Sequence, residues 1–351
     1  MTGLSASSTP PIVILGAGGI VRDAHLPAYK KANFHVSAIY DLVPERAHAL
    51  AQEFNIPYVF DTLEDTIQRS PSDSIFDIAL PPSAFLSVLP FIPQGSPVLL
   101  QKPMGETLSE AREIRDLCNS RRLKAAVNFQ LRFAPAIAKA REILTAGTIG
   151  DLHDLEVRVT VYTPWHLWTF LEDAPRVEIV HHSVHYIDLL RSFLGNPKGV
   201  YARTLKHPHS PKLASTRSAI ILDYGDSLRA TITTNHGHNF GPQEQESYVK
   251  WEGTCGAIKV QLGALMDNPK GRPDTFLIAK TLEDEGEQWQ HLPLAGSWFP
   301  DAFVSSMQSL IDFSTGVSPV LPTSVDDAYK TMAVVEAAYE SNDHGGTSVR
   351  Y

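Results

Sequence analysis

Residues 11–21 read Pro11-Ile12-Val13-Ile14-Leu15-Gly16-Ala17-Gly18-Gly19-Ile20-Val21, and the change of character at Gly16 decides the fold. Four aliphatic residues in a row, Ile12 to Leu15, suit a short strand covered on both faces. Three glycines follow almost at once. Gly16 permits a tight turn, and Gly18 lets main chain approach a ligand closely. A helix starting behind them directs unsatisfied N–H groups and a partial positive charge at that ligand. Strand, turn and helix together form a seat for the pyrophosphate of a dinucleotide, with Gly16, Gly18, Gly19 and Ile20 around it. The third glycine of the usual fingerprint is Val21, so the turn by itself also fits an ordinary strand–helix connection.

The surroundings strengthen the dinucleotide reading. Residues 36–40 form a second apolar run ending in Asp41, 25 positions beyond Gly16. A carboxylate there accepts hydrogen bonds from the adenosine ribose and repels a 2′-phosphate, which favours NAD over NADP. Arg46 lies close enough to act in the opposite sense. Pro44 begins a helix in which Ala47, Leu50, Ala51 and Phe54 recur at helical spacing. Residues 75–80 are a third run, stopped by Pro81-Pro82, and residues 98–100 a fourth, followed by Gln101-Lys102-Pro103. Thr107-Leu108-Ser109-Glu110 offers a capping box for the next helix, and residues 125–129 close the series. Strands alternating with helices imply an α/β Rossmann domain with a parallel sheet.

Beyond Arg132 the texture changes. An amphipathic helix over 135–144 precedes strand-like alternation over 152–162 and a helix over 180–194. Strands are expected at 199–204, 219–222, 227–234, 248–252 and 257–261, and a last helix at 324–341. This meander-like spacing predicts an α+β domain with a large, mostly antiparallel open sheet. The division expected is residues 1–131 for dinucleotide and 132–351 for substrate and oligomerisation, with the final helix packing back on the first domain.

Composition sets outer limits. The chain has 351 residues, with 30 Lys and Arg against 39 Asp and Glu, a formal charge of −9. That sign argues against a general nucleic-acid binder, though a local basic pocket could still hold a small anion. Two cysteines, Cys118 and Cys255, far apart, make a disulfide framework unexpected and fit a reduced, cytoplasmic setting. Residues 1–11 are small and polar without the basic start of a secretory signal. No apolar run approaches the length of a membrane span. The expectation is a protein without membrane or nucleic-acid partners.

Histidines mark the candidate chemistry. In His181-His182-Ser183-Val184-His185-Tyr186-Ile187-Asp188, a helix would set His181, His185 and Asp188 on one polar stripe. Three readings compete: a metal site using the i, i+4 histidine pair, histidines that merely pack, and acid–base chemistry. The last suits imidazole, whose unperturbed pKa of about 6.5 lies near operating pH. It is preferred, and no metal is expected. Trp165-His166-Leu167-Trp168 could stack on a sugar ring or plug an interface. Asn235-His236-Gly237-His238 ends a strand and either lines a cleft or forms a surface turn.

Taken in order, Gly16-Ala17-Gly18-Gly19-Ile20, His25-Leu26-Pro27-Ala28, Asp41 with Pro44-Glu45-Arg46-Ala47, Pro81-Pro82, Lys102-Pro103, Arg132-Phe133, His185-Tyr186-Ile187-Asp188 and Gly253-Thr254-Cys255-Gly256 make the chain resemble the glucose–fructose oxidoreductase/inositol dehydrogenase (Gfo/Idh/MocA) family. The resemblance implies an NAD-dependent dehydrogenase acting on a hydroxyl-bearing carbon of a sugar, polyol or sugar acid. It places Lys102 on the substrate oxygen and His185 as general base, with the reacting carbon between the domains. Pro81, Gln101, Lys102 and Gln130 would join the cofactor contacts, and Arg132, Trp165, His181, His182 and His185 the substrate contacts, with His181 a third catalytic candidate beside Lys102 and His185. The family also implies a homo-dimer or homo-tetramer through the second sheet. Relatives that are NAD-using glycoside hydrolases, or non-catalytic dinucleotide-binding regulators, supply the alternative functions; retention of Lys102 and His185 argues against the regulator. Three departures stand out. The family's Glu-Lys-Pro is Gln101-Lys102-Pro103, the Asp four residues before its histidine is His181, and Arg176-Val177-Glu178 replaces a glycine-rich approach to the helix. Loss of two carboxylates favours neutral forms of Lys102 and His185, unless the substrate brings its own negative charge.

Overall fold

The computed structural model describes residues 9–280 and 289–350; the opening stretch read for a signal falls, up to residue 8, outside them. The chain divides into two units. One runs to Gln130 and includes Phe303–Tyr329; the other comprises Leu131–Ala302 and the chain from Lys330.

In the first unit β1 (Ile12–Leu15) leads through a π-turn (Val21–His25) into α1 (Leu26–Lys31), then β2 (Val36–Tyr40), α2 (Pro44–Phe54), β3 (Tyr58–Val59), α3 (Leu63–Arg69) and β4 (Ile75–Ile78). After these come α4 (Phe85–Val88), β5 (Pro97–Leu100), α5 (Leu108–Ser120) and β6 (Lys124–Val127). The strands form one sheet in the order β3-β2-β1-β4-β5-β6, and every neighbouring pair is parallel. All four residues of β1 are fully buried, which explains why the strand reads as an unbroken apolar run rather than an alternation. Strand order reverses at β1, so Gly16 leaves the sheet at its topological switch point, where open α/β sheets bind ligands. Thr107 caps α5 as expected, its Oγ1 accepting from the Glu110 N–H at 3.2 Å, while the Glu110 carboxylate reaches one residue further back, to the Glu106 N–H at 2.6 Å, instead of the Thr107 N–H of a capping box.

The second unit begins with α6 (Pro135–Thr145) and β7 (Leu152–Thr160). A π-turn (Ile179–Ser183) runs into α7 (Val184–Leu194), followed by β8 (Gly199–Leu205), β9 (Arg217–Asp223), β10 (Arg229–Asn235), β11 (Glu246–Gly253), β12 (Gly256–Gln261), β13 (Thr275–Lys280) and β14 (Gln290–Leu292). The sheet order is β14-β13-β12-β11-β7-β10-β9-β8. All pairs are antiparallel except β7 with β10. Helices α6 and α7 pack on β12 and β10, and Val249, Trp251, Ile258 and Val260 alternate into the core. Tyr201 and Ile221 stay exposed. Two helices complete the chain, α8 (Asp301–Ser314) and α9 (Val325–His344). Helix α8 and strands β3, β13 and β14 were not expected from the sequence. The expected helix over 180–194 is also not uniformly α-helical. Its first turn takes i→i+5 bonding, a widening that shifts His181 out of the simple i, i+4 register with His185.

Candidate active site

At the end of β1, Gly16 has φ +111°, and a Cβ on it would lie 2.5 Å from the Ala79 carbonyl oxygen. Glycine is therefore required by both conformation and space. At Gly18 a Cβ would meet nothing within 4 Å, and at Gly19 only Asp23 at 3.9 Å, so the turn faces open room bounded by main chain. Asp41 is tied to this turn: its Oδ2 accepts from the Ala17 N–H at 2.7 Å and its Oδ1 from the Val43 N–H at 2.8 Å. Ile20 is partly exposed beside the turn and Arg46 lies exposed in the first turn of α2. Pro81 begins the turn after β4. The glycine turn, its open face and the tethered carboxylate fit a dinucleotide: Gly18 and Gly19 leave room for a pyrophosphate, and Asp41, held beside the turn, could accept from a ribose.

The polypeptide leaving β5 carries Gln101 and Lys102. Gln101 Oε1 accepts the Lys102 main-chain N–H at 2.8 Å, and Gln101 Nε2 lies 3.0 Å from His25 Nε2. On its other side His25 Nδ1 is 2.7 Å from Asp77 Oδ2, which also accepts from the Tyr29 hydroxyl at 2.6 Å. Burial lowers the Lys102 ammonium to about 8, because desolvation disfavours its charged form. Gln130, at the end of this unit's first segment, is buried, and its Oε1 has no hydrogen-bond partner among the described residues. A buried acceptor left this way is ready for an incoming donor.

In the second unit Arg132 grips Asp188 with its Nε and Nη2, each 2.5 Å from a carboxylate oxygen. Thr331 donates to the same carboxylate at 2.9 Å and accepts from Arg191 at 2.5 Å. His185, in the first turn of α7, sits edge-on to Trp298 at 6.0 Å, and His181 edge-on to Phe170 at 6.5 Å. His182 is brought to Trp165 at 4.9 Å and to His236 at 4.5 Å. Behind them lies Glu178, fully buried, 3.5 Å from His236 and accepting from the Ser183 and Ser218 hydroxyls. Burial, the largest influence, pushes its carboxyl upward; His236 and the two hydroxyls outweigh it and hold the group below its usual value. His236 is in turn 2.9 Å from Thr163 through Nδ1. Among the described residues no group of three or more His, Cys, Asp or Glu is arranged to hold a metal ion, and no helix is long and apolar enough to cross a membrane.

These contacts group the expected residues unit by unit. Gly16, Gly18, Gly19, Ile20 and Asp41 share the turn, and Gln101 and Lys102 share one hydrogen-bonded corner. Trp165 and His182 meet, whereas His181 and His185 have different aromatic neighbours. Sequence reasoning missed Glu178 as the polar centre of the histidine group, and missed His25, Tyr29, Asp77 and Trp298. A buried polar residue inside an apolar run, such as Asp77 within Ile75–Ile78, was the available signal for one of them.

Known proteins carry the same organisation. Residues 11–129 match the family described as "Oxidoreductase family, NAD-binding Rossmann fold", and residues 137–258 match "GFO/IDH/MocA C-terminal domain". The chain belongs to the GFO/IDH/MocA family of oxidoreductases, and its first unit is an NAD-binding Rossmann domain. It is 23% identical over 321 residues to the D-apiose dehydrogenase of Rhizobium rhizogenes, spanning 89% of each chain. It is 26% identical over 345 residues to the D-xylose 1-dehydrogenase (NADP(+)) 2 of Haloferax volcanii, spanning 95% of this chain and 97% of that one. The structure of an oxidoreductase from Agrobacterium radiobacter, in complex with NAD+, L-tartaric acid and magnesium, superposes with a TM-score of 0.80 at 21% identity, covering 96% of this chain and 97% of the other. That likeness extends to the fold.

Proposed function

We propose that the protein is an NAD-dependent dehydrogenase that oxidises a hydroxyl-bearing carbon of a sugar, polyol or sugar acid. The observation that carries the cofactor choice is Asp41, fixed against the glycine turn by two main-chain N–H groups. A carboxylate so placed would accept a ribose diol and repel a 2′-phosphate. The carbohydrate class rests on the D-apiose and D-xylose dehydrogenases to which the chain is similar over nearly its whole length. The bound nicotinamide would supply the hydride acceptor. Lys102 would donate a hydrogen bond to the reacting oxygen, stabilising the negative charge that grows there as the proton leaves. His185 would take that proton as general base.

A spectrophotometric screen for NAD reduction across aldoses, inositols and sugar acids tests the reading; no NADH from any of them would refute it. On an active substrate, kcat/KM with NAD should exceed that with NADP. Asp41→Ala should reduce the ratio by about 10–100-fold, the worth of a charged hydrogen bond, without abolishing turnover. Equal use of both cofactors by the wild type would contradict the role given to Asp41.

The pH profile gives a second check. Oxidation should rise with pH through one ionisation as the base loses its proton. It should fall again near the value of about 8 at which Lys102 loses its positive charge. Lys102→Arg keeps the charge at every working pH, so its alkaline limb should move out of range even if kcat drops. An unchanged alkaline limb in that variant would assign the ionisation elsewhere.

A further inference from the structure

The hydrogen bonds around Gln101 fix each proton. The Lys102 main-chain N–H can only donate, so the oxygen of the Gln101 amide must face it. The amide nitrogen then faces His25, and since it too can only donate, His25 Nε2 is an acceptor. The ring proton is therefore on Nδ1 and is donated to Asp77 Oδ2, which also receives the Tyr29 hydroxyl proton. Among the described residues, the hydrogen-bonding and aromatic groups on the His25 ring are Asp77 from β4, Tyr29 from α1, Gln101 after β5 and the Phe303 ring from α8, 5.1 Å away. His25, Asp77 and Tyr29 are at most 1% exposed. Asp77 Oδ1 has no hydrogen-bond partner among the described residues, so this buried carboxylate depends on the two bonds to its Oδ2, and water cannot replace a lost one.

We propose that Tyr29, Asp77, His25 and Gln101 form a directional hydrogen-bond chain that positions the turn carrying Lys102, and that its single carboxylate can be moved from residue 77 to residue 101 by reversing the donors and acceptors between those two residues. The proposal rests on Lys102 contacting substrate, as in the function above. The chain explains why an amide serves at 101. With a carboxylate at 77 taking the His25 proton, residue 101 must donate to His25 and accept from Lys102, and an amide can do both. In Asp77→Asn/Gln101→Glu the polarity reverses. The new amide nitrogen at the Oδ2 position has two hydrogens, one for His25 Nδ1 and one for the Tyr29 hydroxyl oxygen, whose own proton then gives up its bond to residue 77. His25 then carries its proton on Nε2 and donates it to the carboxylate introduced at position 101, whose other oxygen still accepts the Lys102 N–H. One buried carboxylate remains in both versions, so the test moves polarity without adding charge.

The experiment combines 15N NMR of the histidine rings with kinetics and NADH titration. Wild-type His25 should show the Nδ1–H tautomer, and the double variant the Nε2–H tautomer. Gln101→Leu, which leaves the Lys102 N–H without its acceptor, should lower kcat by about 10–100-fold, the cost of a slightly misplaced catalytic group, with NADH affinity nearly unchanged. The double variant should recover most of that loss. An Nε2–H or doubly protonated His25 in the wild type overturns the chain. Full activity in Gln101→Leu overturns the positioning role, and a folded double variant with the reversed tautomer but no recovery overturns the interchange. Absence of NADH-linked turnover in the wild type would instead count against the proposed function, and the tautomers would still decide the chain.

Discussion

His185→Ala is expected to lower kcat for oxidation about 10²–10⁴-fold, the range lost with a general base. The site favours a clean result. His185 is buried in the first turn of α7, between Val184 and Tyr186, both fully or nearly fully buried, and edge-on to Trp298. Alanine is a strong helix former, so α7 should persist without the imidazole. The glycine turn and Asp41 belong to the other unit, and NADH affinity measured by fluorescence titration should stay within about threefold, well under the tenfold that 1.4 kcal/mol represents. Added imidazole should restore part of the rate, because the missing group is a base rather than a support. Near wild-type turnover in His185→Ala would place proton removal on another residue.

The largest effect on stability is expected from Arg132→Ala. Arg132 and Asp188 are joined by two hydrogen bonds of 2.5 Å, with side-chain exposures of 9% and 1%. Removing the guanidinium leaves a carboxylate in a place where water cannot solvate it, which costs about 3–5 kcal/mol. Arg132→Met/Asp188→Leu should lose less than Arg132→Ala alone, since the buried carboxylate goes with its partner and the charge left nearby, Arg191, keeps its bonds to Asn196 and Thr331. Urea unfolding of the three proteins checks both statements. A midpoint for Arg132→Ala equal to the wild type would show that the pair is not sustaining the second unit.

The sequence is most legible where local rules and the fold agree. Residues 12–15 read as a strand because a parallel strand buried on both faces must be apolar throughout, and Gly16 reads as a turn because no other residue fits its φ and the approach of Ala79. Strands β7 to β12 were legible from their alternation and the turns between them. Their order was not, because the parallel pairing of β7 with β10 joins residues about 75 apart and leaves no local mark. The π-turn at Ile179–Ser183 was hidden for a related reason: an extra residue per turn changes no composition, only the register of His181. Glu178 looked like a substitution on the way into a helix. Its meaning comes from Ser218 and His236, which reach it from β9 and the end of β10. His25 and Asp77 are 52 residues apart, and a hydrogen bond over that distance is invisible to spacing rules.

Phe303–Tyr329 belongs to the same unit as the glycine turn, yet residues 131–302 come before it in the chain. Asn128 waits for Ser306, Val127 for Thr323 and the His25 ring for Phe303. During synthesis the intervening segment takes roughly 9–34 s to emerge at 5–20 residues per second. The Rossmann sheet can pair its six strands in that interval, but its last packing surface arrives only after residues 131–302 of the other unit have been made. Each unit therefore waits for chain made after the other has begun, the first for Phe303–Tyr329 and the second for the chain from Lys330, and a fragment ending at Gln130 should bind dinucleotide poorly for want of its own final segment.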